Sequence, residues 1–255
     1  MKIRIQFAKY GRMLYIGHLD VMRYFQKALR RAGVDMMYSK GYSPHPLLSF
    51  AAPLGVGIES QAEYADLEVT ETAPTDEMVR RMNAVMVPGM EVLDWRLLPD
   101  DAQNAMSSVA AADYCLTFRE GKVPEDTDAW LDGLEQFFAR ESVVIEKETK
   151  KGSRVLDIRP LIYDWQIDRQ EPAIYLQVST GSVDNLKPEL VITAYCRECG
   201  LEDPGHTLFI SRLETYTNTA GEGEPRNLIP LGAVGARVDE ALKEEQPAED
   251  TGAEA

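Results

Sequence analysis

With 255 residues, the chain is long enough to bury one large core or two small ones. It carries 27 Lys and Arg against 42 Asp and Glu, a net charge of −15, and its apolar content of 44% is that of an ordinary globular protein. Three cysteines make no disulfide framework in a chain this size, no run approaches the roughly 18 apolar residues of a membrane span, and the start Met-Lys-Ile-Arg-Ile-Gln lacks a signal-peptide core. The expected location is therefore the cytoplasm.

Residues Lys2 to Ala8 alternate, with Ile3, Ile5 and Phe7 on one side and Lys2, Arg4 and Gln6 on the other, as in a half-buried strand. From His18 a helical period puts Leu19, Met22, Phe25, Leu29 and Ala32 on one face and Asp20, Arg23, Tyr24, Lys27, Arg30 and Arg31 on the other. Gly33 supplies the left-handed residue that closes such a helix. Tyr38 to Pro46 then reads as a shaped loop, because Gly41, Pro44 and Pro46 forbid regular structure and the prolines push Ser43 and His45 to extended conformations. A short strand at Leu47 to Ala52, a longer one at Gln61 to Thr70, a helix from Pro74 with Met78, Val79, Met82 and Met86 inward, and a strand at Met90 to Leu97 complete a strand-helix-strand-strand-helix-strand order.

Leu98 to Ala112 reads as a polar connection, and beyond it the same order recurs. The expected elements are strands at Tyr114 to Phe118, Val143 to Thr149, Ile162 to Asp168, Ala173 to Ser179 and Thr207 to Tyr216, with helices at Thr127 to Ala139 and Pro188 to Cys199. The expected fold class is α+β: two tandem ferredoxin-like (split βαβ) subdomains at 1–98 and 112–218, the second embellished, followed by an acidic, disordered tail at 219–255.

Charge is segregated along the chain. Nine Lys or Arg face two acids, Asp20 and Asp35, between Met1 and Phe50, whereas the remaining 205 residues carry 18 basic and 40 acidic side chains. A charged helix face is ordinarily just solvated and a Pro-rich loop just a connection, but together they make the positive field that a polyanion such as RNA needs. The residues expected on phosphates are Arg4, Lys9, Arg12, Arg23, Lys27, Arg30 and Lys40, with Tyr42 and His45 at the loop tip to stack bases. His18 and His45, two of the three histidines, are also candidates for acid-base cleavage of RNA through the ribose 2′-hydroxyl; packing at a helix start and in a loop are the plainer roles.

Other candidates are weaker. Ser179, Thr180, Gly181, Ser182, Asn185 and Lys187 ahead of a helix, with Arg159, would suit a second anion, or serve as ordinary caps. Cys196 and Cys199 with His206, and Cys115 elsewhere, fall short of a four-ligand zinc set, so no metal and no other cofactor is expected. Leu54-Gly55-Val56-Gly57 lacks the following helix of a nucleotide-binding turn.

His18-Leu19-Asp20, Arg30-Arg31-Ala32-Gly33, Tyr38-Ser39-Lys40-Gly41-Tyr42-Ser43-Pro44-His45-Pro46 and Leu54-Gly55-Val56-Gly57-Ile58-Glu59-Ser60 together resemble the radical SAM-linked protein family. This is a bacterial domain of unknown function found alone or fused after cobalamin-binding radical SAM proteins. Asp157-Ile158-Arg159-Pro160 and Asn185-Leu186-Lys187-Pro188 resemble its pattern too. The resemblance spans Met1 to Tyr216 and implies a radical SAM enzyme as partner, with a hint of RNA metabolism and no known catalytic residues. The layout is more distantly similar to CRISPR repeat-processing endoribonucleases, but Gly200 to Gly205 is shorter and more acidic than their Gly-rich loop. Three functions stand as expectations: an RNA-binding or substrate-presenting accessory protein acting with a radical SAM enzyme, a metal-independent endoribonuclease using His18 or His45, or a protein-interaction scaffold for that partner.

Overall fold

A computed structural model describes residues 1–149, 152–181, 184–202 and 205–244. The fold is mixed α/β, with one large, mostly antiparallel sheet and six helices among the described residues. In the first half, β1 (Lys2–Lys9) passes through a 3-10 turn at Gly11–Tyr15 into α1 (His18–Arg31), then β2 (Leu48–Phe50), β3 (Glu59–Glu68), α2 (Thr75–Asn83) and β4 (Met90–Leu97). Next come α3 (Ala105–Ser108), β5 (Val109–Phe118), α4 (Thr127–Phe138), β6 (Val144–Thr149), β7 (Gly152–Asp157), β8 (Ile162–Asp168), β9 (Ala173–Ser179), α5 (Pro188–Glu198) and β10 (Leu208–Asn218). The chain ends in β11 (Leu228–Pro230), β12 (Ala236–Arg237) and α6 (Val238–Glu244).

The sheet runs β12-β4-β1-β3-β10-β5-β9-β8, with β2 beside β3 and β11 beside β10, while β6 and β7 form a separate hairpin. Neighbours are antiparallel except at one seam, where Glu59 and Ser60 of β3 run parallel to Ser211 and Arg212 of β10. That seam joins the halves into one sheet.

Each half buries its own apolar layer. Ile3, Ile5, Phe7, Ala65, Leu67, Val92 and Trp95 meet Phe25, Leu29, Met78 and Met82 of α1 and α2. Leu116, Ile174, Leu176 and Ile210 meet Leu134, Phe138, Val191 and Ile192 of α4 and α5. Each of the larger aliphatic and phenylalanine side chains contributes about 1.5–3 kcal/mol by leaving water, which is what fixes the helices on the sheet. A third, small cluster around Tyr64, Ala105 and Leu231 lies on the opposite face.

Several expectations are corrected. The inner stripe of α1 is Val21, Phe25, Ala28 and Leu29, rotated from the expected one, and Leu19 is exposed. Tyr24 turns inward, donating to Met86 Sδ at 3.2 Å and accepting from Val87 N at 2.8 Å. The stretch Leu98 to Ala112 is no free connection: it holds α3 and the start of β5, and the Ala105 N–H donates to Asp66 Oδ2 at 2.7 Å. Residues 219–244 are not a disordered tail either. β11 pairs with β10, β12 pairs with β4, and Leu231 and Val238 are fully buried; residues 245–255 lie outside the described residues. The few apolar anchors in this segment are diluted by charge, so composition hides them.

Candidate nucleic-acid interface

Helix α1 ends in a Schellman motif: Gly33 adopts φ +68°, Val34 N bonds Leu29 O at 3.0 Å and Gly33 N bonds Arg30 O at 3.2 Å. The chain therefore leaves the helix and doubles back along β3. Met36 bridges to Val69, Met37 N bonds Glu68 O at 2.8 Å, and Leu47 N bonds Met37 O at 2.9 Å, so residues 36–38 and 46–48 form a two-rail stalk.

The tip is pinned. Tyr38 bridges to Pro46, Ser39 N donates to His45 O at 2.9 Å, and His45 N donates back to Ser39 Oγ at 3.1 Å. Ser39 Oγ also lies 2.9 Å from His45 Nδ1. Seven residues, Ser39 to His45, make this ring, and Tyr42 at its apex is completely exposed. The bonds at its base brace the loop, and the Tyr42 ring stands clear in solvent, open on both faces to a stacking partner.

Between α1 and the stalk lies a groove of about 390 Å³, lined by Arg23, Lys27, Arg30, Asp35, Tyr38 and Pro46 among others. The three cations come from successive turns of one helix face. Among the described residues, the side chains of Lys27 and Arg30 have no ion pair or hydrogen bond, and Arg23 has only an exposed contact with Asp20 at 3.2 Å. Asp35 is the groove's one carboxylate, and it accepts the Thr70 hydroxyl. Three cations without a buried partner are free to bind a passing anion.

Not every expected residue joins this face. Arg12 is exposed on the 3-10 turn but outside the groove. Lys40 is exposed at the loop tip beside Tyr42. Arg4 and Lys9 are corrections: at 1% and 2% exposure they belong to the interior. Arg4 faces away from α1, but Gln103 and Leu231 roof it over; its guanidinium grips both oxygens of Asp66 at 2.7 and 2.9 Å and donates to the Leu231 carbonyl at 3.1 Å. Lys9 falls in phase with Ile5 and Phe7, and its ammonium donates to the carbonyls of Leu14 and Ile16 at 3.3 and 3.2 Å. Burial pulls the Lys9 pKa down, with nearby Glu63 opposing and Arg212 adding to the shift.

The two histidines are apart in role. His18 starts α1, meets the edge of Phe50 at 5.5 Å between centroids, and lines a small crevice of about 10 Å³ with Lys9 and Glu63. His45 lines a different, open pocket with Ser49 and Glu68. Sequence reasoning missed the ion cluster at the seam. Arg212, 4% exposed, bonds Glu63 at 3.0 Å and the Tyr114 hydroxyl at 3.1 Å. Burial works against its charge, but Glu63 and Tyr114 outweigh it and hold its pKa above the usual arginine value.

The remaining candidates separate. Arg159 donates to the carbonyls of Arg140 and Ile162 at 3.1 and 3.0 Å, and Asp157 accepts from the N–H groups of Val143 and Arg159 at 2.9 and 3.0 Å. Those bonds hold the Asp157 carboxyl below its usual range, and both residues brace the entry to β8. Asn185 and Lys187 are exposed before α5, Ser179 and Thr180 are buried, and Ser182 lies outside the described residues. Cys196 is buried, Cys199 is exposed, and the His206 side chain lies outside what is described; among the described residues no group of three or more His, Cys, Asp or Glu could hold a metal. No helix among them is long and apolar enough to cross a membrane.

A family model described as "uncharacterized protein conserved in bacteria (DUF2344)" matches residues 2–188. The chain belongs to this family. The DUF2344 match takes in α1, the pinned loop, the groove and the sheet as far as β9, and stops at the first residue of α5. No curated protein matches the sequence.

Proposed function

We propose that this DUF2344 protein is an RNA-binding or substrate-presenting accessory protein whose contact face is α1 with the pinned loop. The observation that carries the reading is the groove where Arg23, Lys27, Arg30 and Tyr38 converge, bounded by the stalk whose loop carries the exposed Tyr42, on a molecule of net charge −15. Cations without a buried partner at helical spacing track a phosphate backbone, and exposed tyrosines stack bases that are not already paired. The ligand is therefore single-stranded or locally unpaired RNA rather than a smooth duplex.

Two finer statements belong to the same reading. The halves are tandem ferredoxin-like units, a view supported by the strand orders β4-β1-β3-β2 and β10-β5-β9-β8, each the split βαβ arrangement. The partner is a radical SAM enzyme in RNA modification, a view supported by the resemblance of the His18–Asp20 and Tyr38–Pro46 motifs. Gel-shift titration of a single-stranded RNA tests the first point of contact: Arg30→Glu is expected to weaken binding about tenfold by turning a phosphate contact into repulsion. Undiminished binding by this variant would remove the groove from the proposal. For the partner, nuclease treatment of a pull-down separates a direct protein contact from one bridged by RNA.

A further inference from the structure

The stalk that bounds the basic groove is also the wall of a second opening. Pro46 lines the groove on the α1 side and, with His45, Leu48, Ser49, Glu68 and Asn104, a pocket of about 430 Å³. Lys2 and Glu68, which border this pocket, alternate with the core residues Ile3 and Leu67, so the pocket opens on the face turned away from α1. Its volume is in the range of small-molecule sites.

The lining has apolar walls and a polar edge. Pro46, Leu47, Leu98 and Ala102 supply the walls. Among the polar groups, Lys2 Nζ is committed to the Asp100 carbonyl at 2.6 Å, and Asp66 to Arg4 and the Ala105 N–H. Asn104 donates to Ser49 Oγ at 2.8 Å and accepts from Met106 N at 2.9 Å, so its amide is taken as well. Among the described residues, the Glu68 carboxylate has no hydrogen-bond or ion-pair partner. A flat, apolar body with hydrogen-bonding donors along one edge is what this lining complements, and that describes a nucleobase.

We infer that the pocket takes one unpaired base of the RNA whose phosphates lie on α1, and that the base is guanine. The inference rests on the groove reading above. Two adjacent oxygens of one free carboxylate match two adjacent donors, and among the four RNA bases guanine alone presents such a pair on its Watson–Crick edge, N1–H and the N2 amine. A chain crossing the ridge at Pro46 leaves its phosphates on the cationic side and turns one base over the ridge. That base cannot be in a duplex, since the pocket needs the edge that pairing would occupy.

Binding of short oligouridine RNAs with one central guanosine, inosine, adenosine or abasic site, followed by fluorescence anisotropy, tests this. Inosine lacks only the N2 amine. The guanosine oligomer is expected to bind about tenfold more tightly than the other three. The advantage is expected to vanish in Glu68→Gln, which replaces one acceptor by a donor, and in Ala102→Trp, which fills the pocket, while both variants keep the wild-type circular dichroism and the affinity of the abasic oligomer. Equal affinity for all four oligomers, or a guanosine advantage that survives both substitutions, would overturn the guanine pocket and leave the groove reading standing. Failure of every oligomer to bind at low salt would overturn both.

Discussion

Two sets of cations occupy the first 31 residues and have opposite fates. Arg23, Lys27 and Arg30 stand in solvent on α1 with almost nothing to hold, whereas Arg4 and Lys9 on β1 are buried, as is Arg212 across the seam. The difference is one of partners. An exposed cation keeps its water and is free for an anion; a buried one has lost that water and must be matched, as Arg4 is by Asp66 and Arg212 by Glu63. Clustered positive charge in a sequence therefore says little about binding until each side chain is placed inside or outside.

Breaking the buried set should have the largest effect. Arg4→Leu strands the Asp66 carboxylate, and Arg212→Met strands Glu63; each is expected to cost about 3–5 kcal/mol in chemical denaturation, and Arg212→Met with Glu63→Leu to recover much of that loss. Single variants as stable as the wild type would mean these pairs do not hold their neighbouring strands together.

The exposed loop should respond in binding and not in stability. Tyr42→Ala is expected to weaken single-stranded RNA binding by about 1–3 kcal/mol, the worth of one stacked base, with an unchanged denaturation midpoint. An RNA affinity indifferent to this change would leave the apex tyrosine without a role.

Lys9 sharpens the contrast through pH. Its folded pKa lies below the 10.5 of an exposed lysine, chiefly because it is buried. The unfolded chain thus binds this proton more readily, and the site's contribution makes stability rise as pH climbs from the folded value towards 10.5. Lys9→Met is expected to flatten that rise, seen by comparing urea midpoints at pH 8 and pH 10. The smallest effect should come from replacing Arg23, Lys27 and Arg30 together by Gln, with stability within about 0.5 kcal/mol of the wild type.

Much of the fold was legible because β4, β8 and β9 are apolar-rich runs between turn signals, and their ends coincide with the expected Met90 to Leu97, Ile162 to Asp168 and Ala173 to Ser179. Lys9, Glu63 and Arg212 were readable in principle: each sits at a core-facing position of its strand, and a charge there signals a buried pair. Arg4 was not, since its roof comes from Gln103 and Leu231, a contact 227 residues away in the chain for the latter. The pinned tip was half visible: Gly41 and the prolines marked a loop, but the Ser39 and His45 bonds that stiffen it depend on the stalk. The pocket beside Glu68 needs β1, β3 and residues 98–104 brought together, and local sequence carries no trace of that meeting.

The most direct measurement is the salt dependence of RNA affinity for the wild type and the Arg23, Lys27, Arg30 triple Gln variant. Three phosphate contacts to a single strand predict a slope of log K against log salt steeper in the wild type by about 2 units than in the variant. Equal slopes in the two proteins would contradict the account, because the cations left free on α1 would then not be the ones that meet the phosphates.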